Sequence, residues 1–90
     1  MANLFLQQCW SRALNMYTLS KEEWDNNQRK FFVLTISEIQ AIDQKYEELK
    51  LLIDSFNFQE EQMIQLMQTA QQLQMLVRAS DEKLALYFYN

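Results

Sequence analysis

The sequence predicts a small all-α protein, an antiparallel helical bundle in which two shorter N-terminal helices pack on a long third helix. The chain has 90 residues, of which 49% are hydrophobic, and it contains no glycine and no proline. Those two residues most often interrupt helices, so long helical segments are favoured. Apolar residues recur at spacings of three and four along most of the chain, as in helices that bury one face. We expect residues 1–90 to form a single helical domain.

The first helix is predicted from about Asn3 to Tyr17. Its apolar positions follow helical spacing: Leu6, Cys9, Trp10, Ala13, Leu14, Met16 and Tyr17. Cys9 is the only cysteine, so no internal disulfide can form. Its place on an apolar face predicts a buried, unreactive thiol, since reactive cysteines need exposure and nearby cations.

A turn is predicted at residues 18–20, with a second helix beginning at Lys21. Ser20 and Glu23 have the spacing of a capping box, in which each side chain bonds the backbone N–H of the other. Leu19 and Trp24 occupy the two positions of a hydrophobic staple around that cap. We expect the Trp24 side chain to belong to the core.

The second break is predicted near Ser37, where another capping sequence occurs. Apolar spacing then continues with only a small slip near Glu60, which favours one helix from about Glu38 to Ala79, roughly 60 Å long. The alternative is a break at 54–57, where Asn57 could cap, giving a compact bundle of three or four similar helices. Ser80 either caps a short C-terminal helix that ends at Tyr89 or lies inside a long helix that continues.

The composition argues against enzymatic chemistry. There is no histidine, which removes the usual catalytic dyads, triads and zinc sites. Neighbouring carboxylates such as Glu47 and Glu48 point about 100° apart on a helix and do not share a site. We therefore expect no enzyme activity, no catalytic residue, no metal and no cofactor.

The charge pattern limits the classes of partner. The net charge is −4, and the eight lysines and arginines are scattered, whereas nucleic-acid binding needs a clustered basic surface. No apolar run approaches the length of a membrane span, and residues 1–3 lack the basic character of a signal peptide. The expectations are no nucleic acid, no membrane insertion and a cytoplasmic location.

A second apolar strip indicates a protein-binding surface. Ile64, Met75 and Leu86 are spaced by eleven and lie about 100–140° from the main apolar face on a helical wheel. Either a flanking helix covers this strip, or it forms a patch for another protein. The C-terminal aromatic residues either dock on the core or form an exposed tail. The predicted partner-binding residues are Ile64, Met67, Met75, Leu86, Tyr87 and Phe88.

Two segments carry a resemblance to a known family. Glu23-Trp24-Asp25 follows an apolar first helix, and it resembles the Gly-Glu-Trp-Asp pattern of the FliT-like flagellar export chaperones. The segment from Phe56 to Tyr87 is similar to the long third helix of that family, including its lysine and closing aromatic residue. Glu22 stands where the family often has glycine.

The resemblance implies a chaperone for the filament cap protein of the flagellum. Such a protein would shield an amphipathic helix of its client and deliver it to the type III export gate. Two other interpretations stay open at this stage. The second apolar strip could be a homodimer interface of a structural helical protein, or the chain could be a phage-type inhibitor that binds a host protein through its acidic surface.

Overall fold

Four helical segments follow one another in the computed structural model, which describes residues 3–89. Helix α1 spans Leu4–Asn26, a 3-10 segment spans Gln28–Val33, α2 spans Ile36–Asp54 and α3 spans Glu60–Phe88. The three α-helices pack together, and α3 is the longest with 29 residues against 23 and 19. The predicted fold class, a small all-α bundle with two shorter helices on a long third one, is confirmed.

Two indole hydrogen bonds fix the direction of α1 against α2. Trp24 near the end of α1 donates from Nε1 to Oδ1 of Asp43 at 2.8 Å. Trp10 near the start of α1 donates from Nε1 to the carbonyl of Ile53 at 2.9 Å. Because the start of α1 meets the end of α2, the two helices are antiparallel.

Polar contacts between α2 and α3 show the same relation. The Lys83 ammonium lies 2.8 Å from Oε1 of Glu38, and Lys45 donates to Gln72 at 3.0 Å. The start of α2 therefore meets the end of α3, so these helices are antiparallel too. It follows that α1 and α3 run parallel, side by side, with all of α2 between them in the sequence.

The core lies where the three helices meet. Tyr46, Leu49, Leu66 and Leu73 are the largest side chains that are fully buried. Trp24 is 3% exposed, as predicted for a core residue. The apolar repeat of the sequence supplies further core positions in α2, α3 and the connection between them: Ile42, Ile53, Phe56 and Leu84.

The predicted turn at 18–20 is wrong, because α1 continues to Asn26. Ser20 lies inside the helix, where its hydroxyl turns back to the Tyr17 carbonyl at 3.5 Å. Serine is tolerated there at modest cost, and burial of Trp24 on the same face as Ala13 continues the helix. The proposed staple is absent, since the Leu19 side chain is 68% exposed.

The second break falls close to its predicted place, but its cap is different. Helix α2 begins at Ile36 and is capped by Thr35 rather than by Ser37. The Thr35 hydroxyl accepts from the Glu38 N–H at 3.1 Å, and the Glu38 carboxylate accepts from the Thr35 N–H at 2.9 Å. This reciprocal pair is a complete capping box.

The single helix predicted over Glu38–Ala79 is wrong, and the alternative break at 54–57 is confirmed. Helix α2 ends at Asp54, and α3 begins only at Glu60. Asn57 does not cap α3 with its side chain; its backbone N–H donates to Oε1 of Gln62 at 2.7 Å. A break here lets both apolar faces pack on each other, which one straight helix could not do.

The connection between α2 and α3 turns without glycine. Phe58 has a φ of 59°, the left-handed region that costs a residue with a Cβ about 1–2 kcal/mol. Its ring packs 5.0 Å from that of Phe56 and 6.2 Å from that of Trp10, measured between centroids. These aromatic contacts offset the strained backbone.

The alternative in which the last helix continues through Ser80 is confirmed. Helix α3 runs unbroken to Phe88, so there is no separate C-terminal helix. Ser80 is 3% exposed, and its hydroxyl has no hydrogen-bond partner among residues 3–89. Cys9 is buried, as predicted.

Candidate protein-binding groove

An open groove of about 340 Å³ separates the parallel helices α1 and α3. We call it the α1–α3 groove. One wall comes from α1 and the other from α3, and the lining is mainly apolar with a polar rim. The lining residues are Cys9, Arg12, Ala13, Met16, Met67, Ala70, Gln71 and Gln74.

Side-chain size explains the shape of this groove. Ala13 and Ala70 are small and leave space between the two helices, while Met16 and Met67 flank that space. The Met67 side chain is 49% exposed. Methionine is flexible and polarizable, so surfaces that carry it can adapt to different apolar partners.

The face of α1 that lines the groove continues along the helix beyond both ends of the groove. Phe5 and Leu19 lie seven residues before and after Arg12, hence on the same face of the helix. Their side chains are 56% and 68% exposed. From Phe5 to Glu23 this face is about 27 Å long at 1.5 Å per residue, which is the length of a helix of about 18 residues.

The six residues predicted to bind a partner are all exposed, but they do not form one patch. Met67 lines the α1–α3 groove, and Ile64 lies one turn away from it on α3. Met75 instead lies in a hollow between α2 and α3, beside Lys45. Leu86 borders another hollow near the end of α3. The six residues therefore border different surfaces of the bundle, although Ile64, Met75 and Leu86, eleven residues apart on the unbroken α3, lie along one line of that helix.

The last two predicted residues, Tyr87 and Phe88, form an aromatic cluster with Phe32 of the 3-10 segment. The ring of Phe32 meets those of Tyr87 and Phe88 edge-on, at centroid distances of 5.4 and 5.8 Å. Lys30 lies 5.4 Å from the Phe88 centroid and donates to the Tyr89 hydroxyl at 3.1 Å. The chain end is thus docked on the 3-10 segment, while Phe32 and Tyr87 stay 68% and 61% exposed.

Sequence reasoning missed Phe5, Leu19 and Phe32 as surface residues. The predicted staple at Leu19 depends on the predicted turn at 18–20, which does not form. Phe32 follows another aromatic residue directly, and two adjacent aromatic side chains on a helix cannot both face the same core. That adjacency was the available signal.

Two carboxylates form an acidic pair beyond one end of the α1–α3 groove, about two helical turns past the residues that line it. Glu23 and Asp81 lie seven residues beyond Met16 and Gln74, on the two walls. Neither makes an ion pair with any residue from 3 to 89. Partial burial, and then the nearby charge of Glu23, raise the pKa of Asp81.

A buried hydroxyl lies close to this acidic pair. Tyr46 is 1% exposed, and its hydroxyl has no hydrogen-bond partner within the described range. Burial raises the pKa of Tyr46 most; the neighbouring Ser20 hydroxyl lowers it, and the charges of Asp81, Asp25 and Glu23 raise it further. The Lys21 ammonium lies over the same ring, 5.3 Å from its centroid.

Other classes of site find no support in the part of the chain that the structure describes. Over residues 3–89 no group of three or more cysteines, aspartates and glutamates could hold a metal ion. Within the same range, no helix has the length and hydropathy needed to cross a membrane.

Comparison with known proteins gives no match: no family model, no curated protein and no solved structure is significantly similar to this chain. The resemblance to the FliT-like export chaperones therefore stays a prediction.

Proposed function

We propose that the protein is a non-enzymatic chaperone that shields an amphipathic helix of a secreted client in the α1–α3 groove. The observation that carries this proposal is the groove itself. It is mainly apolar, extends over about two turns of each helix, and continues along α1 into the face that carries the exposed side chains of Phe5 and Leu19, with Met67 on the α3 wall. Exposed apolar side chains that border one groove are typical of surfaces that bind an amphipathic helix.

The family resemblance supplies the narrower form of the proposal. In it, the client is the filament cap protein of a flagellum, held in the cytoplasm before type III export. No residue of the groove is specific for that client, so the narrower proposal needs a separate test.

A binding assay with two matched variants tests the general proposal. Met67→Asp puts a charge into the α1–α3 groove, whereas Met75→Asp puts the same charge on the same helix but between α2 and α3. Both side chains are at least 49% exposed, so both variants are expected to fold. Captured proteins are identified by mass spectrometry from the native cytosol.

The proposal requires that Met67→Asp loses a captured secreted protein and that Met75→Asp keeps it. Retention of every partner by Met67→Asp would show that the groove does not bind clients. The narrower form is tested with the purified C-terminal segment of the filament cap protein encoded by the same genome. Absence of binding to that segment rejects the flagellar client and leaves the groove proposal standing.

Self-association is the second candidate function, favoured by the aromatic cluster. Phe32 and Tyr87 are largely exposed although they contact each other, and a pair of such rings is a common core of homodimer interfaces. Light scattering of wild type and Phe32→Ala decides this. A monomer at all accessible concentrations rejects it, and a dimer that Phe32→Ala dissociates supports it.

A further inference from the structure

The outer face of α3 carries a row of exposed apolar side chains. Ile64, Met75 and Leu86 are 56%, 65% and 66% exposed. Residues two apart on a helix differ by about 200° around its axis. The row therefore lies opposite the buried leucines of α3, each of which is two positions away: Leu66, Leu73 and Leu84. A helix that turns this side only to water would carry polar residues there.

The spacing along this face is symmetric about Met75. Ile64 and Leu86 each lie eleven residues from Met75, and an eleven-residue repeat stays on one line of a nearly straight helix. From Ile64 to Met75 the line advances by four, three and four residues, and from Met75 to Leu86 it does so again. The positions between the three apolar residues are all exposed: Gln68, Gln71, Ala79 and Glu82. We call the seven residues the outer strip of α3.

The outer strip is poor in charge. Helix α3 has no charged residue from 62 to 77, and Glu82 is the one charged member of the strip. Glu82 makes no ion pair with any residue from 3 to 89. Lys45, which borders the strip beside Met75, is already bound to Glu48 at 2.9 Å. Few charges together with exposed methionine are typical of the core of a protein interface.

We propose that the outer strip binds the same strip of a second copy of this chain, with the two α3 helices antiparallel about a two-fold axis at Met75. Each Ile64 then meets Leu86 of the other copy, and Met75 meets its own equivalent. Each Gln68 comes level with Glu82 of the other copy, where its amide donates to the unpaired carboxylate. A two-fold interface consists of such reciprocal pairs, and the symmetric spacing of the strip provides them.

Charge favours the antiparallel direction over a parallel one. A parallel pair would also align the three apolar positions, but it would bring Glu61 to Glu61 and Glu82 to Glu82. In the antiparallel pair Glu61 is level with Tyr89, and Arg78 is level with Gln72. Antiparallel helices also bring dipole ends of opposite sign together. The second copy therefore adds no like charge opposite these residues.

This interface is separate from the two surfaces of the proposed function. The α1–α3 groove has Met67 on its α3 wall, about 80° around the helix from Met75. The aromatic cluster joins Phe32 to Tyr87 across the 3-10 segment. Variants of those two surfaces are therefore controls for the outer strip.

Sedimentation velocity over a wide range of protein concentration tests the interface. Met75→Asp puts two carboxylates face to face at the two-fold axis and should raise the Kd of the dimer about a hundredfold or more. Met67→Asp makes the same change on the same helix but off the strip. It and Phe32→Ala should leave the Kd within about a factor of two. Circular dichroism checks that each variant is folded.

Two variants of Gln68 test the direction at low salt, where exposed charges are least screened. In the antiparallel pair, Gln68→Lys faces Glu82 and should bind about fivefold tighter, whereas Gln68→Glu should bind about fivefold more weakly. In a parallel pair both variants face their own copy and both weaken it. Weakening by both, or no change in either, overturns the antiparallel arrangement.

Two results overturn the interface itself. One is a monomer at every accessible concentration, and the other is a dimer that Phe32→Ala dissociates and Met75→Asp leaves intact. Neither result changes the test of the client groove, because that test compares the capture of a secreted protein.

Discussion

The Trp24 indole donates to the Asp43 carboxylate at 2.8 Å and so joins the last turn of α1 to the first half of α2. The Trp24 ring is 3% exposed and packs on Phe31 with 4.2 Å between the ring centroids, so removal of the carboxylate leaves a largely buried indole N–H without its acceptor. Asp43→Ala is expected to lower the free energy of unfolding by about 1–3 kcal/mol, the cost of a buried donor without an acceptor. Denaturant unfolding measures this.

Asp43→Asn is the control for that bond. Asparagine keeps an acceptor oxygen at nearly the same position, so the loss should be clearly smaller than for alanine. Equal losses for both variants would mean that the hydrogen bond is not what stabilises the α1–α2 contact.

A second pair of variants separates the real helix cap from the apparent one. Thr35→Ala removes the hydroxyl that caps α2 and should cost about 1 kcal/mol. Ser20→Ala changes an interior position of α1, where alanine has the better helix propensity, and should stay within about 0.5 kcal/mol of wild type. Thermal unfolding compares them, and a larger loss for Ser20→Ala would restore the turn at 18–20.

Acid is expected to weaken the junction between the start of α2 and the end of α3. Hydrogen bonds from Lys83 and Thr35 lower the pKa of Glu38 from 4.5 to about 2. A lowered pKa in the folded state means that the stabilisation is complete above pH 4.5 and is lost as the pH falls towards 2. The melting temperature of the wild-type protein should therefore fall as the pH is lowered from 4.5 to 2.

Glu38→Gln isolates the charge, because glutamine can still bond the Thr35 N–H in a capping box. Its melting temperature should be lower at neutral pH and should change less between pH 4.5 and 2. Added salt should reduce the difference, since Lys83 and Glu38 are 45% and 38% exposed. An unchanged pH dependence would show that the ion pair does not stabilise the fold.

The aromatic cluster should hold the last turns of α3 without contributing much to global stability. Phe32→Ala removes the ring that meets Tyr87 and Phe88, contacts of about 0.5–1.5 kcal/mol each. Amide hydrogen exchange at 85–89 is expected to become about threefold to tenfold faster. Leu51→Ala, at a position equally exposed but outside the cluster, should leave that exchange unchanged.

The apolar repeat predicted the fold class and most of the core, because burial of one face is what selects these helices. Tyr46, Leu49, Leu66 and Leu73 all follow from spacing alone. The boundaries did not follow, since a capping box is a local pattern that tertiary packing can overrule. The capping-box sequence at Ser20 lies inside α1, because burial of Trp24 favours continuation of the helix. The capping-box sequence at Thr35 does cap α2.

The candidate site was only partly predictable. Single-helix periodicity placed Met67 on the main apolar face of its helix and among the predicted partner-binding residues, but it could not show that Ala13 and Met16 of α1 form the opposite wall. Which surfaces meet depends on helix directions, and those depend on contacts such as Trp10 with Ile53. Met67 and Met75 are eight residues apart, about 80° around the helix, so spacing separates them, but spacing does not show that one faces α1 and the other α2.

The parallel arrangement of α1 and α3 also has a kinetic consequence. Five residues connect α2 to α3, and a short connection that contains the 3-10 segment joins α1 to α2. In contrast, the whole of α2 and both connections lie between α1 and α3 in the sequence. Loop closure over the longer distance is entropically more costly. The two walls of the groove are therefore expected to come together last during refolding, so that a client helix binds only the completed bundle and protects it from unfolding.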